Sequence, residues 1–238
     1  MYKLAIFVEG YTEVLFVNKL IEEIANKNEI IIEQISIRGG ATVPRKSSII
    51  QAAKPATTEQ FYFLIIDCGG DNLVKQRISE EHAGLSSNGY QSIIGLRDVR
   101  PNFTRAEIGK LELGLRYGIK TSLIPVDFIL AIMEIEAWFL AEQTHFGRIN
   151  PLLNSSSIIT THGFDIENDD LSLRDFPTQD LSACYSIVGL KYIKNSNLTI
   201  NSLDFESIYF DLSTKIPYLK KLINLIEDFI TPGAQTQT

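Results

Sequence analysis

The stretch "IFVEGYTEVLFV", residues 6 to 17, decides how the chain is read. An apolar run is broken by Glu9, Gly10 and Glu13, and a second apolar run follows at helical spacing. "KLAIFV" (3 to 8) reads as a buried strand, and "TEVLFVNKLIEEIANK" (12 to 27) carries Val14, Phe16, Val17, Leu20, Ile21 and Ile24 on one helical face. The acid therefore stands at the carboxyl end of a strand, and the glycine makes the turn into a helix.

Working outward, strands and helices alternate. "EIIIEQISI" (29 to 37) is β-branched enough for a second strand, and "RGGATVPRKSS" (38 to 48) reads as a loop. "FYFLIID" (61 to 67) is an uninterrupted buried strand, and "NLVKQRISEEHAG" (72 to 84) reads as a helix ended by Gly84. "YQSIIGLRD" (90 to 98) predicts a strand, "RAEIGKLELGLRYG" (105 to 118) a helix, and "KTSLIPV" (120 to 126) a fifth strand. This alternation predicts an α/β fold with a mostly parallel sheet and helices on both faces. "DFILAIMEIEAWFLAEQ" then starts as an apolar strand and becomes helical around Glu136. The region beyond, polar from Pro151 to Asp180 and followed by short helical stretches, predicts a mainly helical cap over 143–230, with 231–238 as a frayed tail.

Composition bounds the function. The chain has 238 residues, 45% of them apolar, which is enough for a sizeable core. No apolar run approaches a membrane span, and the first residues lack the charged and apolar segments of a secretory signal, so a cytosolic protein is expected. Cys68 and Cys184 are too few for a disulfide framework. The net charge of −7, from 22 basic and 29 acidic residues, argues against a protein that coats nucleic acid through phosphate contacts, and it fits carboxylates gathered around a cation.

On this map Glu9, Asp67 and Asp98 each close a strand, and Glu134 and Glu136 follow a later one. Sites in open parallel sheets form outside the carboxyl ends of the strands, so these acids are expected on one rim. Glu13 and Asp71 lie four residues beyond a strand-end acid, where a helix start favours negative charge. Asp98 sits in "RDVR", where Arg97 and Arg100 offer ordinary pairing partners. Oxygen ligands without clustered His or Cys favour Mg²⁺ or Mn²⁺ over zinc, and His82, His145 and His162 show no ligand spacing.

"VEGYTE" (8 to 13) and "DCGGD" (67 to 71), together with "EIEAWFLAE" (134 to 142), resemble the motifs of the TOPRIM domain, in particular small TOPRIM proteins of bacterial defence loci related to the nuclease half of the OLD family. The resemblance covers about residues 1 to 142. It implies a TOPRIM-like, Rossmann-like domain and a Mg²⁺- or Mn²⁺-dependent nuclease acting on DNA or RNA, tRNA included, as an anti-phage effector. It further implies Glu9, Asp67 and Glu136 as catalytic residues, with Glu9, Glu13, Asp67, Asp71, Glu134 and Glu136 as metal ligands. One departure stands out: the family's Asp-x-Asp is here interrupted by Gly69, the second acid coming four residues on. Arg38, Arg45 and Lys46, around Gly39 and Gly40, are the candidate phosphate contacts. OLD proteins carry their own ATPase, and no G-x-x-x-x-G-K-[ST] pattern occurs here, so either independent action or an ATPase partner in trans is expected. The alternative is a catalytically silent TOPRIM-like subunit held by such a partner.

Overall fold

A computed structural model describes residues 1–26, 30–40, 42–54, 60–70 and 72–231. In chain order the elements are β1 (Tyr2–Val8), α1 (Tyr11–Ala25), β2 (Ile30–Arg38), β3 (Lys46–Gln51), β4 (Phe61–Asp67), α2 (Leu73–Ser87), β5 (Ser92–Asp98), α3 (Ile108–Arg116) and β6 (Val126–Ala131). Then come α4 (Glu136–Ala141), α5 (Thr144–Ile149), α6 (Ser155–His162), α7 (Pro177–Ser186), α8 (Asn197–Ser202), α9 (Phe205–Ser207), a π turn over Ile208–Leu212, α10 (Ser213–Lys215) and α11 (Pro217–Ile230).

The strands form one sheet in the order β3-β2-β4-β1-β5-β6, parallel throughout except for β3, which runs antiparallel on the edge. This is the expected α/β arrangement, a Rossmann-like sheet with helices on both faces. Its central strands are apolar on both sides because both sides are covered. In β1, Leu4, Ile6 and Val8 meet α1 and the C-terminal helices, whereas Ala5 and Phe7 face Val74 and Ile78 of α2. Gly95 in β5 is required by close packing: a Cβ there would lie 2.7 Å from Ile78 Cδ1 and 2.9 Å from Phe128 Cδ1.

Several element boundaries differ from the sequence reading. Residues 46–51, read as the end of a loop and beyond, form β3, whose six residues are all exposed and so lack any burial pattern to read. The strand expected at 120–126 begins only at Val126 and runs to Ala131. Helix α2 passes through Gly84 and ends at Ser87, since nothing packs where a Cβ at Gly84 would point and the glycine can stay helical. The change of texture at residue 142 is not a break in packing. One apolar core joins β1, β4 and α1 to Phe146, Leu181, Leu222, Ile226 and Phe229. Phe229 of α11 sets its ring edge on Phe61 and Phe63, at 5.7 and 5.0 Å between centroids. Among the described residues no helix is long and apolar enough to cross a membrane. The tail expected at 231–238 lies, beyond Thr231, outside the described residues.

Candidate functional site

Register places three acids side by side. Val8 pairs with Asp67, so Glu9 leaves β1 one residue beyond the level of Asp67 on the neighbouring strand, and β5 ends in Asp98 on the other side of β1. The turns after β1 and β4 are then sewn together. Cys68 N–H donates to the Val8 carbonyl at 2.9 Å, and the Gly69 and Gly70 N–H groups both reach the Glu9 carbonyl, at 3.0 and 2.9 Å. Gly69 has φ +83°, which directs its amide back toward β1 and also lets it donate to Asp67 Oδ1 at 2.9 Å. These two amides are spent on Glu9 and Asp67, so the glycine pair makes no open anion cradle.

The acids line a pocket of about 340 Å³ together with Arg38, Arg100, Lys194 and Asn195. Glu9 is buried, and its Oε1 accepts the Asp98 N–H at 3.0 Å, with Arg97 Nε 3.9 Å away. Asp98 Oδ1 accepts the Ile135 N–H at 3.0 Å. The pairing of Asp98 with its flanking arginines does not occur: Arg97 donates to Asn72 Oδ1 and Arg100 to the Asp175 carbonyl. Burial, followed by the charges of Glu9, Glu13 and Glu136, holds the Asp98 carboxyl well above the usual range. Glu13 Oε2 accepts the Gly10 N–H at 3.0 Å at the start of α1. Burial and then the Glu136 charge raise its pKa to about 7.

Glu134 lines the pocket while its Oε2 accepts the Thr178 N–H at 3.0 Å, in the first turn of α7. Glu136 is different. It is fully buried behind the pocket wall, where Oε1 accepts Tyr192 Oη–H at 2.8 Å and meets Lys194 Nζ at 3.3 Å. Glu136 thus stands outside the pocket lining, because Tyr192 and Lys194, in the chain after α7, close over it. Its Oε2 has no hydrogen-bond partner among the described residues. Asp71 lies outside the described residues.

Of the three phosphate candidates only Arg38 reaches the pocket. Its Nη2 lies 2.6 Å from Asp67 Oδ2 and its Nη1 donates to the Asp67 carbonyl at 3.1 Å. Arg45 pairs instead with Glu80 and Glu81 on α2, and Lys46 opens β3 opposite Arg38, away from the pocket lining. The segment read as a loop is a hairpin, which ties Arg45 to α2 and leaves Lys46, beside Arg38 on the exposed edge strand, outside the pocket lining.

Lys194 and Arg100 were not singled out as site residues by sequence. Burial opposes charge on Lys194, but the carboxylates of Glu136, Asp98, Glu134 and Glu13 raise its pKa to about 12. The turn that carries it is tied to α1, since Asn195 N–H donates to Thr12 Oγ1 at 2.9 Å. "KYIKNSN" shows no periodicity or motif that marks such a residue; Arg100 could have been found by its place just after a strand-end acid.

Comparison with known proteins adds little. No protein-family model matches the chain. None of the curated proteins matches it either. Among solved structures it is similar to a Lactobacillus plantarum WCFS1 protein provisionally named a cell surface hydrolase, at 16% identity and a TM-score of 0.27, over 60% of this chain and 56% of that one. A likeness at that level bears on neither reaction nor substrate.

Proposed function

We propose that this chain is a Mg²⁺- or Mn²⁺-dependent nuclease that hydrolyses phosphodiester bonds of DNA or RNA, and that it serves anti-phage defence. The defence role rests on the resemblance to TOPRIM proteins of the OLD type. The hydrolytic reading is carried by one observation: three adjacent parallel strands deliver Asp67, Glu9 and Asp98 to a single pocket beside Glu13 and Glu134.

The donors fit a hard divalent cation in kind, being carboxylates with no Cys or His beside them in the pocket lining. Positive charge there would relieve the repulsion that raises Asp98 and Glu13. Among the described residues no three ligating side chains already stand together, so binding would draw the carboxylates inward and Asp67 would have to share or release Arg38. Glu9 and Asp67 are the residues to hold the ion, with Glu13, Glu134 and, outside the described residues, Asp71 as further acids. The chemistry that a bound divalent ion supplies is charge stabilisation on phosphoryl oxygens and a more acidic water. The chain itself supplies a carboxylate at Glu9 held by a backbone amide, as a proton acceptor, and positive charge at Lys194 and Arg100 to meet a phosphate.

The test is thermal unfolding under Mg²⁺ and Mn²⁺ titration, with Glu9→Gln and Asp67→Asn beside the parent. A cation bound only by the folded chain raises the parent midpoint in a concentration-dependent way and leaves both variants unmoved. Cleavage of DNA and of RNA, tRNA included, then follows in the parent and is lost in Glu9→Gln. The ion pair already formed between Arg38 and Asp67 favours a second reading, a silent TOPRIM-like subunit completed by an ATPase partner. On that reading Glu9→Gln keeps both partner and function.

A further inference from the structure

Arg100 and Pro101 border the acidic pocket on one side, and on the other they border a second hollow of about 420 Å³, walled by Phe103, Met133, Arg105 and Phe176. Arg100 therefore stands on the threshold between the two. Its guanidinium carbon lies 4.1 Å from the centre of the Phe176 ring, and its Nη1 donates to the Asp175 carbonyl at 2.9 Å. Phe176 is 47% exposed, although the helix that follows begins on a buried Pro177. On the far wall Arg105 donates to the carbonyls of Ser172 and Arg174 and meets the Asp175 carboxylate at 3.4 Å. Those bonds fix the segment that carries Phe176 and pair Asp175, the one acid among the described residues that line the hollow.

We propose, building on the reading of the acidic rim as a phosphodiester-cleaving site, that this hollow receives one unpaired nucleotide of a single strand. Its base stacks against the Arg100–Phe176 pair, and its phosphate passes Arg100 into the acidic pocket. A base in a duplex has both faces covered by its neighbours and offers none to the ring. An aromatic ring and a guanidinium plane bind any exposed base face without reading sequence. Net charge points the same way: a chain at −7 gains little from a long track of phosphates, so affinity must come from stacking at a few places. The volume is that of a small-ligand site. The substrate is thus single-stranded or locally opened nucleic acid.

The experiment is fluorescence anisotropy of the full chain in EDTA, which separates binding from cleavage, using short labelled oligo-dT, oligo-U and a blunt duplex. The parent is expected to bind both single strands more tightly than the duplex. Phe176→Ala should weaken single-strand binding about tenfold, the size of one lost stacking contact, while Phe176→Tyr binds as the parent does. If Phe176→Ala does not keep the parental unfolding midpoint, Phe176→Leu, which keeps bulk without a π face, must weaken binding in the same way. Equal or tighter binding of the duplex, unchanged binding by Phe176→Ala, or no binding of single strands by the parent overturns the proposal. Cleavage in Mg²⁺ is scored separately. A parent that cleaves while Phe176→Ala binds normally keeps the nuclease reading and loses the subsite. Phe176-dependent binding by a parent that does not cleave keeps the subsite and loses the nuclease.

Discussion

At the scale of single residues, the rim depends on backbone geometry as much as on charge. Gly69 permits the turn that returns two amides to Glu9, and a Cβ there would come within 3.0 Å of Arg38 Cδ and Nη1. Because Arg38 is a flexible side chain it can yield, so the lasting cost of Gly69→Ala is the positive φ. Urea denaturation of Gly69→Ala should show a loss of about 1–2 kcal/mol, and Arg38 should be displaced from Asp67. The strand-end placing of Glu9 and Asp67 was legible because an uninterrupted apolar run followed by acid and glycine has few other readings. Glu136 looked like another rim acid, and only the fold shows Tyr192 and Lys194 closing over it. The electrostatic conflict at Asp98 was equally hidden, since it depends on Glu9, Glu13 and Glu136 arriving at one place from distant positions in the chain.

At the scale of elements, the parallel core was readable and the edges were not. β1, β4 and β5 are buried on both faces and announce themselves as apolar runs. β3 is exposed along its whole length, so its pairing with β2 comes from backbone hydrogen bonds that leave no mark on side-chain pattern. The last helix shows the opposite case. α11 buries Leu219, Leu222, Ile223, Ile226, Phe229 and Ile230 on one face, at a spacing visible in sequence, yet which surface receives that face is a tertiary matter. It covers the same side of the sheet as α1, and Lys221 and Tyr218 tie it to Asp127 and Glu112, at 2.7 Å in each case. Phe229→Ala should cost about 3 kcal/mol by chemical denaturation, as for removal of a buried aromatic, and should do so even though the residue is far from the rim.

At the scale of the molecule, stability should fall in mild acid through a residue remote from the site. His145 is fully buried against Phe146, its Nδ1–H donating to the Glu142 carbonyl at 2.5 Å, and burial lowers its pKa from 6.5 to about 4. Between those values the unfolded chain binds the extra proton. The contribution of His145 is therefore complete above about pH 6.5 and is lost as pH falls toward 4, by on the order of 3 kcal/mol. Burial raises Glu142, which acts in the opposite sense over part of this range, so the measurement is a difference. Unfolding free energies of the parent and of His145→Asn, taken from pH 7 to 4, should converge as the parent alone loses that increment.

The α/β class, the two-sided burial of the central strands and the presence of acids at their carboxyl ends were legible residue by residue, because each is written in local periodicity and in the residues that end a strand. Tertiary structure alone decided which acids share a pocket and which are sealed behind it. It also decided that the C-terminal helices join the main core, and that Lys194 and the Arg100–Phe176 pair stand beside the carboxylates. Those outcomes depend on strand order and on contacts between residues as much as 183 positions apart, such as Thr12 with Asn195, and no local pattern encodes which distant partner will arrive.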